Sequence, residues 1–167
     1  AEKTCDDLGN SKSKRAQALG CYVDVLHQCP EGSDLDFSVR SKIIKLASGK
    51  PLPEDARRLA IRAQAKLQTG NADAHETAAA EMSDALKLAP WWADGYYNLG
   101  LLQERAGRFG GAVQSLKLFL LASPNAKEKS AVQAKLYRLE VAKEEQAKTV
   151  ALVGDWVSDD RQLAAKV

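Results

Sequence analysis

Few side chains in this sequence are of the kinds that make or break covalent bonds: three Cys, two His and one Met in 167 residues. His27 and His75 lie near the ends of helical stretches with no partner at a metal-ligand or triad spacing, so each reads as a solvated or helix-capping side chain. No Cys-x-x-Cys pair and no Cys/His ligand spacing occurs, so zinc is not expected. Cys5, Cys21 and Cys29 all fall within the first thirty residues. A bridge from Cys5 to Cys21 or to Cys29 would tie the N-terminus to the first helix, whereas Cys21 and Cys29 stand too far apart along one helix to join each other. The odd count leaves one thiol over. The expectation is a binding module with no catalytic residues, cofactor or metal.

The elements that must carry such a module are helical. The chain is 45% hydrophobic, 28% charged and only 6% aromatic, with five Pro and eleven Gly, a composition with few helix breaks. Its 24 Lys and Arg against 22 Asp and Glu are dispersed rather than blocked, which argues against a nucleic-acid surface. No apolar run is long enough to span a membrane. The opening Ala1-Glu2-Lys3 suits a mature chain cut after a small residue, so the expected location is periplasmic or secreted, with the cytoplasm as the alternative.

Punctuation predicts seven helices. Ser11 to Gln28 is closed by Pro30; Ser33 to Asp36 offer N-caps for a second helix that Gly49 and Pro51 end. Pro53, Glu54 and Asp55 open a third, stopped by Gly70. Asp73 with Glu76, and Asn125 with Glu128, read as capping pairs for a helix reaching Leu88 and for a long one reaching about Lys148. Between them lie Ala93 to Ala106 and Phe109 to Ala122, separated by Gly107-Arg108. The expected fold class is all-α, an antiparallel helix-hairpin array of about seven helices: a divergent pair over 1–50, an array over 51–148 and a tail over 149–167.

Pro90 and Pro124 stand 34 residues apart, and Ala78, Met82, Ala85 and Leu88 precede the first as Ala112, Leu116, Phe119 and Ala122 precede the second. The stretch ADGYYNLGLLQERAGRFGGAVQSLKLFLLASPNA, Ala93 to Ala126, resembles one tetratricopeptide repeat, with Tyr96, Leu99, Gly100, Gly107, Phe109, Ala112, Leu116 and Pro124 on that family's signature positions. Gly100 and Ala112 are small where the two helices of a hairpin cross, and Gly107 suits a tight turn. The segments IIKLASGKPLPEDARR and ALKLAPWWADGYYNLG look like a recurrent type of uncharacterised bacterial exported repeat protein. The resemblance implies a scaffold or peptide-recognition role.

In tetratricopeptide arrays the first helices of successive hairpins line a concave groove that takes a partner segment. That places Gln64 on one wall, Asp94, Tyr97, Asn98, Leu101 and Arg105 on the middle helix, and Lys135 and Arg138 on the third. The five places where some members hold a C-terminal carboxylate carry Ala60, Gln64, Asn98, Ala131 and Lys135, too few cations for that clamp. The mixed lining suits a segment with apolar anchors and both signs of charge. Of Trp91 and Trp92, directly after Pro90, at least one indole is expected to pack between adjacent hairpins at the repeat junction.

In the tail, Val150, Leu152, Val153, Trp156 and Val157 surround Gly154. The expectation is that Val153 and Trp156 fold back on the last helix and that Ser158 caps a short helix from Asp159 to Lys166. The competing reading, from the likeness of Leu-Val-Gly-Asp-Trp-Val to the first strand of lipocalin-like barrels, is an architectural or oligomerising module fused to a barrel domain absent from this chain.

Overall fold

The computed structural model describes residues 5–7, 14–47, 49–68 and 73–164, with side chains as far as residue 151. Among these, a helical turn at 5–7 precedes seven helices, and no strand is present: α1 (Arg15–Leu26), α2 (Asp34–Ala47), α3 (Glu54–Leu67), α4 (Ala74–Leu88), α5 (Ala93–Arg105), α6 (Phe109–Ala122) and α7 (Lys129–Ala164). Helices α3 and α4 form one antiparallel hairpin and α5 and α6 the next, with α4 stacked on α5 and α6 on α7. The chain is an all-α array of helical hairpins.

Local chemistry accounts for most boundaries. At the start of α2 the Ser33 hydroxyl accepts the Asp36 N–H at 3.1 Å, and the Asp36 carboxylate reaches back to the Gly32 N–H at 3.2 Å, so two donors that the helix cannot satisfy are satisfied reciprocally. Glu54 and Asp55 sit in the first turn of α3 behind Pro53, facing the positive end of its dipole. The α5–α6 turn is a Schellman closure: the Gly107 N–H donates to Glu104 C=O at 3.0 Å and the Arg108 N–H to Gln103 C=O at 2.8 Å. Gly107 has φ +73, which a side chain would strain.

Both expected capping pairs fail. Asp73 stands at the N-cap of α4 but its carboxylate makes no cap; its carbonyl takes the Thr77 hydroxyl instead, and Glu76 pairs with Arg108 at 3.0 Å. Helix α7 starts at Lys129, beyond Asn125 and Glu128, after a turn in which the Ala126 N–H donates to Ser123 C=O. Residues 69–72, including the Gly70 stop, lie outside the described residues.

The main core runs through α3 to α7. Gly100 crosses α6 so closely that a Cβ there would stand 2.8 Å from Leu116 Cδ2, and Leu116, Ala112 and Tyr96 are fully buried around the crossing. A second core joins the N-terminal turn, α1 and α2 through Leu19, Tyr22, Leu26, Val39 and Ile43. Cys5 bridges Cys21 across 5.6 Å between Cα atoms, which settles the pairing left open by the sequence; the Cys29 thiol donates to Val25 C=O at 3.2 Å. Asp6 is clamped by Lys42 at 2.7 Å and by the Tyr22 hydroxyl, and the Lys42 hydrogen bond, then that of Tyr22, holds its carboxyl below the usual range.

The N-terminal pair does not continue the stack: α2 packs on α6. Its loop is fastened by the Gln114 amide to Gly32 C=O at 2.9 Å and by the Ser83 hydroxyl to Glu31 at 2.6 Å. Deeper in, Arg40 pairs with Asp36 at 2.8 Å and donates to the Tyr96 hydroxyl at 3.4 Å, which itself donates to Pro90 C=O at 2.8 Å. Burial opposes the charge of Arg40, but the Tyr96 oxygen and the Asp36 carboxylate outweigh it and raise its pKa.

Burial likewise raises the Tyr96 phenol above its ordinary value of 10.0. A raised phenol contributes stability that is present below the unfolded pKa and is lost as pH rises toward the folded one. The melting temperature should therefore fall above about pH 10 in the wild type and fall less steeply in Tyr96→Phe, read by circular dichroism melts between neutral and alkaline pH.

The tail departs most from expectation. Helix α7 does not end near Lys148 but continues to Ala164, so neither a turn back at Val153 nor a strand at 150–157 forms. In the helix up to Val150 only Val132, Leu136 and Leu139 are buried, and nothing packs over Val150 to impose another conformation. No helix among the described residues is long and apolar enough to cross a membrane.

Candidate partner-binding groove

Residues of α3 and α5 line opposite sides of a depression of about 370 Å³. Four expected residues meet there: Gln64 from α3, and Asn98, Leu101 and Arg105 from α5. Met82, Leu102 and Ala63 form an apolar floor, and Trp92 closes one end. Ile61 stands on the α3 rim with 59% of its surface in water, although it is a large apolar side chain.

The polar groups on this surface are largely uncommitted. Arg105, Gln64 and Asn98 are exposed, and none makes a side-chain hydrogen bond or ion pair among the described residues. Arg57, also in the lining, stands 3.8 Å from Glu54 with both side chains mostly solvated, a pair worth little. Arg62 and Lys66, by contrast, turn to the other side of α3, where both reach one carboxylate oxygen of buried Glu81 at 2.9 Å.

Asp94 and Tyr97 belong elsewhere. With Asn98 they line a separate hollow of about 530 Å³ between α5 and the start of α7, against Phe119 and Ala126. Tyr97 is half-buried and its ring lies 5.2 Å from that of Phe119, so part of its surface is already used in packing. Lys135 is held by Glu104 at 2.6 Å, tying α7 to α5, and Arg138 is exposed but lines neither hollow. The eight expected residues thus form two sites that share Asn98, with the two α7 cations outside both.

Sequence reasoning missed Ile61, Arg57 and Trp92 as lining residues. Ile61 carried a usable signal, because it stands four residues after Arg57 and three before Gln64, on the α3 face opposite the Ala56 and Ala63 pair that packs inward. Trp91 and Trp92 both pack between hairpins as expected: Trp91 against the N-terminal core and the α3–α4 cluster, Trp92 against that cluster and the main core. Among the described residues no cluster of His, Cys, Asp and Glu could hold a metal ion.

No family model, curated protein or solved structure matches this chain. Its function is read from its own surfaces.

Proposed function

We propose that this chain is a tetratricopeptide-type interaction scaffold, not an enzyme, and that it docks a segment of a partner protein in the groove between α3 and α5. The observation that carries this reading is the groove itself: an apolar floor, an exposed Ile61 at its rim and the uncommitted Gln64, Asn98 and Arg105 along it. A primary or side-chain amide can donate to and accept from an extended backbone at once, which makes Gln64 and Asn98 apt partners for a peptide. The close Gly100 crossing and the positive-φ Gly107 turn support the repeat assignment, since each serves the role that the 34-residue pattern gives it. The Cys5–Cys21 bridge favours an oxidising, exported location.

Replacing Gln64 and Asn98 together with alanine should weaken partner capture at least tenfold, about 1.4 kcal/mol, while far-UV circular dichroism stays unchanged. Capture that survives in a folded double variant removes the groove as the docking site.

A second reading has its own observation. Tyr137, Val141 and Val150 are exposed on α7 by 70%, 56% and 67%. An architectural module that self-associates would cover them, and light scattering over a concentration series decides: a particle that stays monomeric at high concentration excludes this role.

A further inference from the structure

Six polar or charged side chains are buried among the described residues, and five of them, Asp36, Arg40, Ser83, Gln103 and Ser115, line one cavity of about 330 Å³. It lies between the α1–α2 loop, α4 and the start of α6, and shares no lining residue with the groove. Burying a polar group is costly unless it is bonded, so five converging on one space is not what helix packing alone selects.

The hydrogen bonds around this cavity occupy its buried acceptors, the Asp36 carboxylate and the Gln103 oxygen, and leave donors free beside them. Asp36 takes Arg40 and the Gly32 N–H, Glu31 takes Ser83, the Gln103 oxygen takes Ser115 at 2.8 Å, and Gly32 C=O takes Gln114. The Gln103 amide nitrogen has no acceptor among the described residues, although Gln103 is only 5% exposed. It lies against Gly111, where a Cβ would come within 2.8 Å of it. Gly110 and Gly111 are in the first turn of α6, whose N-cap Arg108 supplies no side-chain cap, and their N–H groups have no acceptor among the described residues. Lys143 reaches over from α7 to the same lining and makes no ion pair among the described residues. The lining holds Arg40, Arg108 and Lys143 against Asp36 and Glu31, one net positive charge, to which the α6 dipole adds.

A surplus of donors converging from several directions calls for an acceptor with several oxygens. We propose that this cavity binds a small phosphate-bearing molecule, its phosphate taking the N–H groups of Gly110 and Gly111, the Gln103 amide and the Lys143 ammonium. Glycine at both positions leaves the backbone N–H groups open to a close approach. The remaining volume is enough for a small organic moiety beside Arg40 and Ser83.

The test is a titration of the whole chain with inorganic phosphate, followed through backbone amide shifts and compared with sodium chloride at matched ionic strength. The Gly110 and Gly111 amides should move saturably with phosphate only. Lys143→Ala, an exposed change that leaves the fold alone, should weaken the midpoint about tenfold, and Gln103→Leu should do the same. Lys117→Ala, which removes an exposed lysine of α6 that pairs with Glu140 outside the cavity lining, should bind like the wild type. Should Gln103→Leu fail to fold, Lys143→Ala decides alone. Shifts no different from those in chloride, or a midpoint indifferent to Lys143→Ala, would mean a cavity filled by water and would overturn the site.

Discussion

Replacing Asp36 with alanine should lower the unfolding free energy by about 3–5 kcal/mol, because it strands a buried guanidinium without its counter-charge. Arg40 is 5% exposed and Asp36 6%. Their 2.8 Å contact is supplemented by the longer bond from Arg40 to the Tyr96 hydroxyl and by the Tyr96 ring, whose centroid lies 5.9 Å from the guanidinium. The same change removes the acceptor for the Gly32 N–H at the α2 start, adding about 1 kcal/mol of lost capping within that range. Arg40→Met, which takes away the charge and keeps the aliphatic bulk, should restore most of the loss when combined with Asp36→Ala. Urea unfolding of the two single variants and the double closes the cycle, and the coupling between the sites should exceed about 1 kcal/mol. An Asp36→Ala protein within about 1 kcal/mol of the wild type would mean that Arg40 reaches water and that α2 is not sealed against α6.

Leu116→Ala should cost about 3–5 kcal/mol, the range for deleting a fully enclosed leucine where the surroundings cannot collapse. The sharper expectation concerns its neighbour. In the wild type, Gly100→Ala forces a methyl to within 2.8 Å of Leu116 Cδ2, and the overpacking should outweigh the helix propensity gained. In the Leu116→Ala background that methyl enters the vacated space, so Gly100→Ala should become stabilising. A sign change between the two backgrounds, read from denaturation midpoints, identifies the Gly100 crossing as a close approach of the α5–α6 hairpin that Leu116 enforces. The same sign in both backgrounds would contradict it.

What the sequence made legible follows the range of the interactions concerned. The α5–α6 hairpin was readable because Gly100, Gly107 and Ala112 answer to local geometry and fall on the signature positions of the repeat that the stretch resembles. The placement of α2 on α6 was not, since it rests on Arg40 meeting Tyr96 and on Gln114 meeting Gly32, contacts between residues more than fifty positions apart that leave no periodic trace. The N-terminal bridge was narrowed to two pairings by spacing, and only the fold selects Cys21 over Cys29. The groove was half legible. The tetratricopeptide resemblance placed Gln64, Asn98, Leu101 and Arg105 on a common groove, but it could not show that Lys135 is taken by Glu104 or that Tyr97 turns toward Phe119. The polar cavity left a faint signal, as Ser83, Gln103 and Ser115 each interrupt an otherwise apolar helix face. In the tail, β-prone residues were outweighed by the uninterrupted helix ahead of them.

The docking groove is tested most directly by selecting peptides from a random library on the wild-type chain and measuring the recovered binders against Leu101→Asp. Leu101 is half-buried in the groove wall, and a carboxylate there disrupts the apolar floor without touching the Gly100–Leu116 core. If partner segments dock between α3 and α5, selected peptides should carry apolar anchors and lose at least tenfold in affinity, about 1.4 kcal/mol, against the folded variant. Peptides that bind wild type and Leu101→Asp equally would place the interaction surface elsewhere on the molecule.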